Sequence, residues 1–266
     1  MATGVRPAVH KTVHLPHLPT LAPAQHELVS GIKYRVLVAS TDEERSAVFR
    51  LRFQVFNLEL NEGLDTAFET GEDRDKFDEV CSLLYVQDRE TGEVVGTYRV
   101  QSGISAAKNY GYYSEQEFKF EPFEPLRTEV LELGRACIDA EHRSFEVLNI
   151  LWKGVAVYAQ EVGARYLIGC SSVTSQDPAE GWGVYDQLLA FQAEAGLQTT
   201  PQPEFFLPPA PPSQAAKVPR LLRAYLAVGA FICGTPALDR EFKTIDFLTL
   251  LDFERISPAA KARFLR

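Results

Sequence analysis

Val130-Leu131-Glu132-Leu133-Gly134-Arg135-Ala136-Cys137-Ile138 is an apolar run interrupted by one carboxylate, one guanidinium and one glycine. Its length and apolar character read as a buried strand. Charge without a partner is expensive to bury, so a strand that carries Glu132 and Arg135 inward usually faces a site. Alternation places positions 132 and 135 on opposite faces of a regular strand. The segment that follows, Asp139-Ala140-Glu141-His142-Arg143-Ser144, opens a helix whose apolar residues Val147, Leu148, Leu151, Val155, Ala159 and Val162 recur at helical spacing up to Gly163. A polar strand feeding a loop and a helix N-terminus collects free backbone N–H groups, which suits the carbonyl or phosphates of a thioester donor.

The rest of the chain supplies elements for one sheet. Tyr34–Val38 reads as a strand. Ser40 or Thr41, followed three residues later by Glu43 or Glu44, gives a capping box for a helix reaching Phe56. The alternating runs 83–87 and 94–100 flank Asp88-Arg89-Glu90-Thr91-Gly92-Glu93, a hairpin signature. Further strands are expected at 164–173 and 244–253, and helices at 178–195 and 221–231. Residues 1–33 read as a flexible arm, and residues 34–266 as a single mixed α/β domain around a central sheet. Prolines crowd 198–219, which reads as an extended loop or hinge and not a packed element.

Composition narrows the function. The 266 residues carry a net charge of -9, so no basic stripe is available for nucleic acid. No apolar run reaches the roughly 20 residues of a membrane span, and the N-terminus has no signal-peptide pattern. A cytoplasmic location is expected, with peripheral contact at the inner membrane face left open. Cys81, Cys137, Cys170 and Cys233 are far apart and read as buried thiols in a reducing compartment; Cys170 is the best placed of them for a nucleophile, yet core packing is favoured. His10, His14 and His17 have no Cys or carboxylate beside them, so no metal site is expected.

Five motifs in order, Leu51-Arg52-Phe53-Gln54-Val55-Phe56, Asp73-Arg74-Asp75-Lys76-Phe77-Asp78, Gly96-Thr97-Tyr98-Arg99, Glu132-Leu133-Gly134-Arg135 and Asn149-Ile150-Leu151-Trp152, carry a resemblance to a known family, and Phe247–Asp252 resembles its last strand. Over residues 34 to 255 the chain resembles the GNAT acyltransferase superfamily. Within it the likeness is to the ornithine N-acyltransferases and N-acyl amino acid synthases, relatives of the acyl-homoserine-lactone synthases. The resemblance implies a mostly antiparallel sheet with a splayed strand pair after Gly134, flanked by helices. It also implies transfer of a long-chain fatty acyl group, 3-hydroxylated or not, to the α-amine of ornithine or a similar amino acid. Asp73 stands where the lactone synthases are expected to have Glu. The segment His142-Arg143-Ser144 lacks the glycines that wrap a pyrophosphate. The donor expected is therefore an acyl-phosphopantetheine on acyl carrier protein, with no cofactor resident in the enzyme.

On this reading Glu132 is the base that deprotonates the amine and Arg135 acts beside it, although a structural Glu132–Arg135 ion pair is an equal alternative. The donor would lie on the backbone of Ala136 and Cys137, with Arg143 and Ser144 at the helix start. Arg52, Arg99 or Arg135 would take the acceptor carboxylate, and Asp75 and Asp78 its amine or these arginines. Ser171 and Ser172 would serve the leaving thiol. Phe56 and Trp152, with Phe49, Phe53, Phe77 and Tyr98, would line an acyl channel or simply fill the core. Lys153, Arg165, Arg143, Arg220 and Arg223 are candidates for docking the acidic carrier. The alternatives are a lactone-type synthase using S-adenosylmethionine and a non-catalytic shell that binds acyl chains or a carrier protein.

Overall fold

The computed structural model describes residues 26–257 and 260–262. His10, His14 and His17 lie outside the described residues. In chain order the elements are β1 (His26–Ser30), β2 (Tyr34–Val38), α1 (Asp42–Arg52), α2 (Ala67–Thr70), β3 (Ser82–Asp88), β4 (Val94–Ser102), α3 (Gly103–Lys108), β5 (Val130–Ile138), α4 (Phe145–Glu161), β6 (Tyr166–Val173), α5 (Pro178–Leu188), α6 (Arg220–Val228), β7 (Phe231–Ile232), β8 (Ala237–Asp239) and β9 (Thr244–Asp252). The strands form one nine-stranded sheet in the order β1-β2-β3-β4-β5-β6-β9-β7, with β8 also on β9. Every pairing is antiparallel except β5 with β6. That single parallel pair requires a crossover, which α4 supplies. α4 buries Val147, Leu151, Val155 and Ala159 against the first strands of the sheet.

The parallel pair is short. Val130, Leu131 and Glu132 face Tyr166, Leu167 and Ile168, and there the register ends. Beyond it β6 continues to Val173 with β9, while β5 continues to Ile138 with β4. The two strands therefore part after Glu132, so the splay that the resemblance placed after Gly134 begins two residues earlier.

Several expectations need correction. His26–Ser30, placed in the N-terminal arm, adds an edge strand antiparallel to β2. The helix expected to reach Phe56 is α-helical to Arg52 and continues as a π-helical stretch over Phe53–Leu60. The helix expected over 178–195 ends at Leu188 in a 3-10 turn. The proline-rich segment is extended but not unpacked. Leu207 and Ala216 are buried with Val184, Leu188 and Leu222, and the Trp182 indole N–H donates to the Pro208 carbonyl at 2.8 Å. Each proline removes its own N–H from a sheet ladder, which leaves only isolated bridges at Thr199, Pro201 and Phe206, without preventing apolar side chains from packing.

Candidate active site

The wedge between the parted strands holds a cavity of about 320 Å³, within the size range of small-molecule sites. β5 contributes Glu132, Leu133, Gly134, Arg135 and Ala136, and β6 contributes Gly169, Cys170, Ser171 and Ser172. The backbone of β5 past Glu132 has no strand on its β6 side, so its polar groups on that side face the wedge.

The feature that brings Glu132 and Arg135 to one cavity is a bulge. Gly134 pairs with Arg99 and Cys137 with Thr97, so β5 carries one residue more than β4 across this interval. Arg135 absorbs it with a φ of 51°. A left-handed arginine is uncommon and costs about 1–2 kcal/mol. Its side chain supplies the compensation. The guanidinium stacks 3.8 Å from the Phe242 ring centroid, donates to Asp75 at 3.0 Å and lies 3.6 Å from Asp73. The expectation of opposite faces is thus corrected: alternation fails where one extra residue enters the strand.

Glu132 does not pair with Arg135. It is 6% exposed and accepts the backbone N–H of Tyr113 at 2.7 Å and of Ser114 at 2.8 Å, together with the Ser114 hydroxyl. Burial pushes its carboxyl above the ordinary value, against these hydrogen bonds and the nearby Arg99. A buried carboxylate raised in this way is suited to accept a proton near neutral pH.

The arginines and aspartates of the sequence motifs form a buried lattice. Arg52, fully buried, donates to Asp78 at 2.8 Å. Arg99 reaches Asp75 at 2.6 Å and Asp78 at 3.6 Å, and Arg135 bridges Asp75 and Asp73. Burial opposes ionisation of Asp75, but Arg99 and Arg135 outweigh it and hold the carboxyl well below the usual range. Arg99 and Arg135 line the cavity, whereas Arg52, Asp75 and Asp78 stand behind it. Arg135 also keeps a buried Nε without a hydrogen-bond partner.

The remaining candidates divide clearly. Phe56, Tyr98, Trp152, Ser171 and Ser172 line the cavity. Tyr98, Trp152 and Tyr225 form an aromatic group, with Tyr98 and Tyr225 hydroxyls 2.6 Å apart. Leu60, Leu221, Leu222, Ala230 and Leu251 extend this arm. The Ser171 hydroxyl accepts from Thr249 at 2.9 Å. Cys137 is buried with its thiol pushed up to about 12, chiefly by burial. Arg143 is engaged by Glu59 and by the Ile138 carbonyl, and the Ser144 hydroxyl caps α4 by accepting from the Val147 N–H at 3.3 Å. Neither Arg143 nor Ser144 lines the cavity. Among the docking candidates, Arg165 is bound to Asp252 and Glu254, while Arg220 and Arg223 are exposed on α6.

Four acidic residues at the polar end had not been singled out. Glu62, Asp239 and Asp246 line it, and Glu117 lies within 4.8 Å of Asp246 and Cys170, atom to atom. Asp246 carried a readable signal, a carboxylate inside the apolar strand Thr244–Asp252 of the same kind as Glu132. Glu117 carried none.

Sheet order, the strand pair that parts, and the cavity between them define an acyltransferase-type fold. Residues 51–153 match the Acetyltransferase (GNAT) domain family, and this match, with the relatives that follow, supports an N-acyltransferase enzyme. It is similar to the L-ornithine N(alpha)-acyltransferase of Brucella abortus (strain 2308), 29% identical over 240 residues, 84% of this chain and 85% of the relative. The protein of that name from Rhizobium meliloti (strain 1021) is 27% identical over 259 residues, 89% of this chain and 86% of the relative. Among solved structures, the fold is similar to FeeM, an N-acyl amino acid synthase from uncultured soil microbes, with a TM-score of 0.51 and 14% identity over 88% of this chain and 96% of that one. The AHL synthase LasI gives 0.50 and 13%, over 84% and 91%.

Proposed function

We propose that the protein transfers a fatty acyl group from a phosphopantetheine thioester on acyl carrier protein to the α-amine of ornithine. The observation that carries this reading is a cavity lined both by aromatic and aliphatic side chains and by Glu132 with further carboxylates, beside the opened backbone of β5. The acyl tail lies along Tyr98, Trp152, Leu222 and Tyr225. Its thioester carbonyl meets the free N–H groups of β5 past Glu132, which stabilise the oxyanion by several kcal/mol, about 3 for one donor. Arg135, which lines the cavity, takes the acceptor carboxylate.

In the reaction the amine nitrogen forms a bond to the carbonyl carbon, and the carbon–sulfur bond breaks. Glu132, raised by burial, accepts the proton that the ammonium must lose, and the second proton, shed by the nitrogen as the amide forms, passes to the leaving thiolate to give the carrier's thiol. The relatives' name supplies ornithine as the acceptor. Carrier protein is preferred to a nucleotide donor because Arg143 and Ser144, at the start of α4, are occupied within the protein.

The test combines purified protein, a long-chain acyl carrier protein and ornithine, with mass spectrometry of the products. An ornithine amide with one equivalent of free carrier thiol is expected. A lactone product from S-adenosylmethionine, or no thiol release with any amino acid, overturns the assignment.

A further inference from the structure

The polar end of the cavity holds more carboxylate than the reaction at Glu132 requires. Asp246 on β9 is 3% exposed, lines the cavity and has an Oδ1 without a hydrogen-bond partner. Glu117, fully buried and just outside the cavity lining, has its carboxylate against the Asp246 carboxyl and the Cys170 thiol, with no backbone or cationic donor. Their oxygens and the Cys170 sulfur all lie within 4.8 Å of one another. Asp239, 2% exposed, also faces the cavity and receives the Tyr113 hydroxyl at 3.4 Å. No arginine or lysine is paired with Glu117 or Asp246 among the described residues, in contrast to Asp73, Asp75 and Asp78. A buried carboxylate pair with no cationic partner is a costly arrangement that a cationic ligand would relieve.

We propose that Glu117 and Asp246, with Asp239 beside them, form a cation subsite that takes the side-chain ammonium of a diamino-acid acceptor. This rests on the acyltransferase reading and adds to it the residues that select the acceptor. β6 connects the two places: Ile168 faces Glu132, while Ser172, four residues on, faces Asp246 across the β6–β9 pair. Cys170, between them, has its thiol pushed well above the ordinary value by burial and then by Glu117, Asp246 and Glu132, so all three carboxylates act on one point. An acceptor whose α-amine meets Glu132 and whose carboxylate meets Arg135 sends its side chain along β6 toward Asp246. A neutral side chain would leave both carboxylates unpaired. An ammonium donates to them and favours their ionised forms, opposing the upward shift that burial imposes on Asp246 and Glu117.

Calorimetric binding of ornithine and of norvaline, which lacks only the terminal amine, tests this apart from turnover. Ornithine should bind about 10- to 100-fold more tightly to the wild-type protein, the range of a charge-assisted hydrogen bond. In Asp246→Asn and Glu117→Gln, both checked for cooperative melting, the ratio should fall to within about threefold while norvaline binding holds. A ratio near one in the wild type, or equal weakening of both ligands in the variants, overturns the subsite. So does a ratio that collapses on adding a chelator, which would assign the three ligand atoms to a metal ion. Acyl transfer to ornithine would survive any of these outcomes, because it is read from the product.

Discussion

Glu132 is tied to the fold by its hydrogen bonds and is also the proposed base of the reaction. Its oxygens receive three donors from Tyr113 and Ser114, which pins the turn at 113–116 to β5. Glu132→Gln keeps the shape but offers only one oxygen, so a backbone N–H loses its acceptor at a cost of about 1–3 kcal/mol. If Glu132 also takes the amine proton, turnover should fall by about 10²- to 10⁴-fold at a temperature where the variant is fully folded. The acid limb of kcat/KM against pH should disappear with it. A variant that melts earlier yet turns over normally would confine Glu132 to the structural role. The lattice behind the cavity makes a different demand. Arg52 is fully buried with Asp78 as its carboxylate partner, and its Nε and Nη2 have no hydrogen bonds. Removing that partner by Asp78→Asn leaves a buried guanidinium poorly compensated, at about 3–5 kcal/mol. Chemical denaturation should show this loss, and a change below about 1 kcal/mol would mean the lattice is hydrated or redundant.

At the scale of elements, α6 joins the cavity to the surface. Leu222 and Leu226 are buried, Leu222 and Tyr225 line the apolar arm, and Arg220, Leu221 and Arg223 are exposed. Arg220 and Arg223 lie three residues apart, on one face of the helix. On the proposed reaction they would meet the acidic carrier, with the acyl chain entering beside Tyr225. Reversing both charges should lower kcat/KM for an acyl carrier protein about tenfold and flatten its salt dependence, leaving a small acyl-pantetheine thioester nearly unaffected. Equal losses for both donors would move the docking surface elsewhere. Much of this framework was legible in the chain. The hairpin of β3 and β4, the capped α1, and the β5–α4–β6 crossover follow from alternation, a capping box and helical spacing. β1 was not, because its half-exposed pattern buries too little apolar surface to distinguish it from a tail. Nor was the bulge in β5: nothing in the local sequence signals that Arg135, and not its glycine neighbour, takes the positive φ. The acidic subsite was hidden for a third reason. Glu62, Glu117, Asp239 and Asp246 are scattered along the chain and meet only through the sheet.

Over the whole molecule these buried carboxylates pull the stability in opposite directions with pH. Asp75 and Asp78 are buried, yet their arginines hold them below the ordinary carboxylate range. Their contribution is present above the unfolded value near 3.8 and is lost as the pH falls through the lower folded values. Asp246 behaves in the reverse sense. Burial, with Asp239 adding to it and Ser172, Glu117 and Thr244 partly opposing through hydrogen bonds, pushes it up to about 6 from 3.8. The fold therefore favours its protonated form, a contribution complete below the unfolded value and lost between about pH 4 and 6, worth about 3 kcal/mol. Glu117 is raised well above its ordinary value by burial and by Asp246 and Asp239, which carries the same loss to higher pH. The unliganded protein should thus be most stable in mild acid and less stable at pH 8. Asp246→Asn, which cannot ionise, should remove much of the decline and be the more stable protein at pH 8. Urea unfolding at pH 4.5, 6 and 8 reads this directly. Parallel curves for the wild type and Asp246→Asn would mean that the Asp246 carboxylate is already compensated in the empty site, and that it gains nothing from an incoming cation.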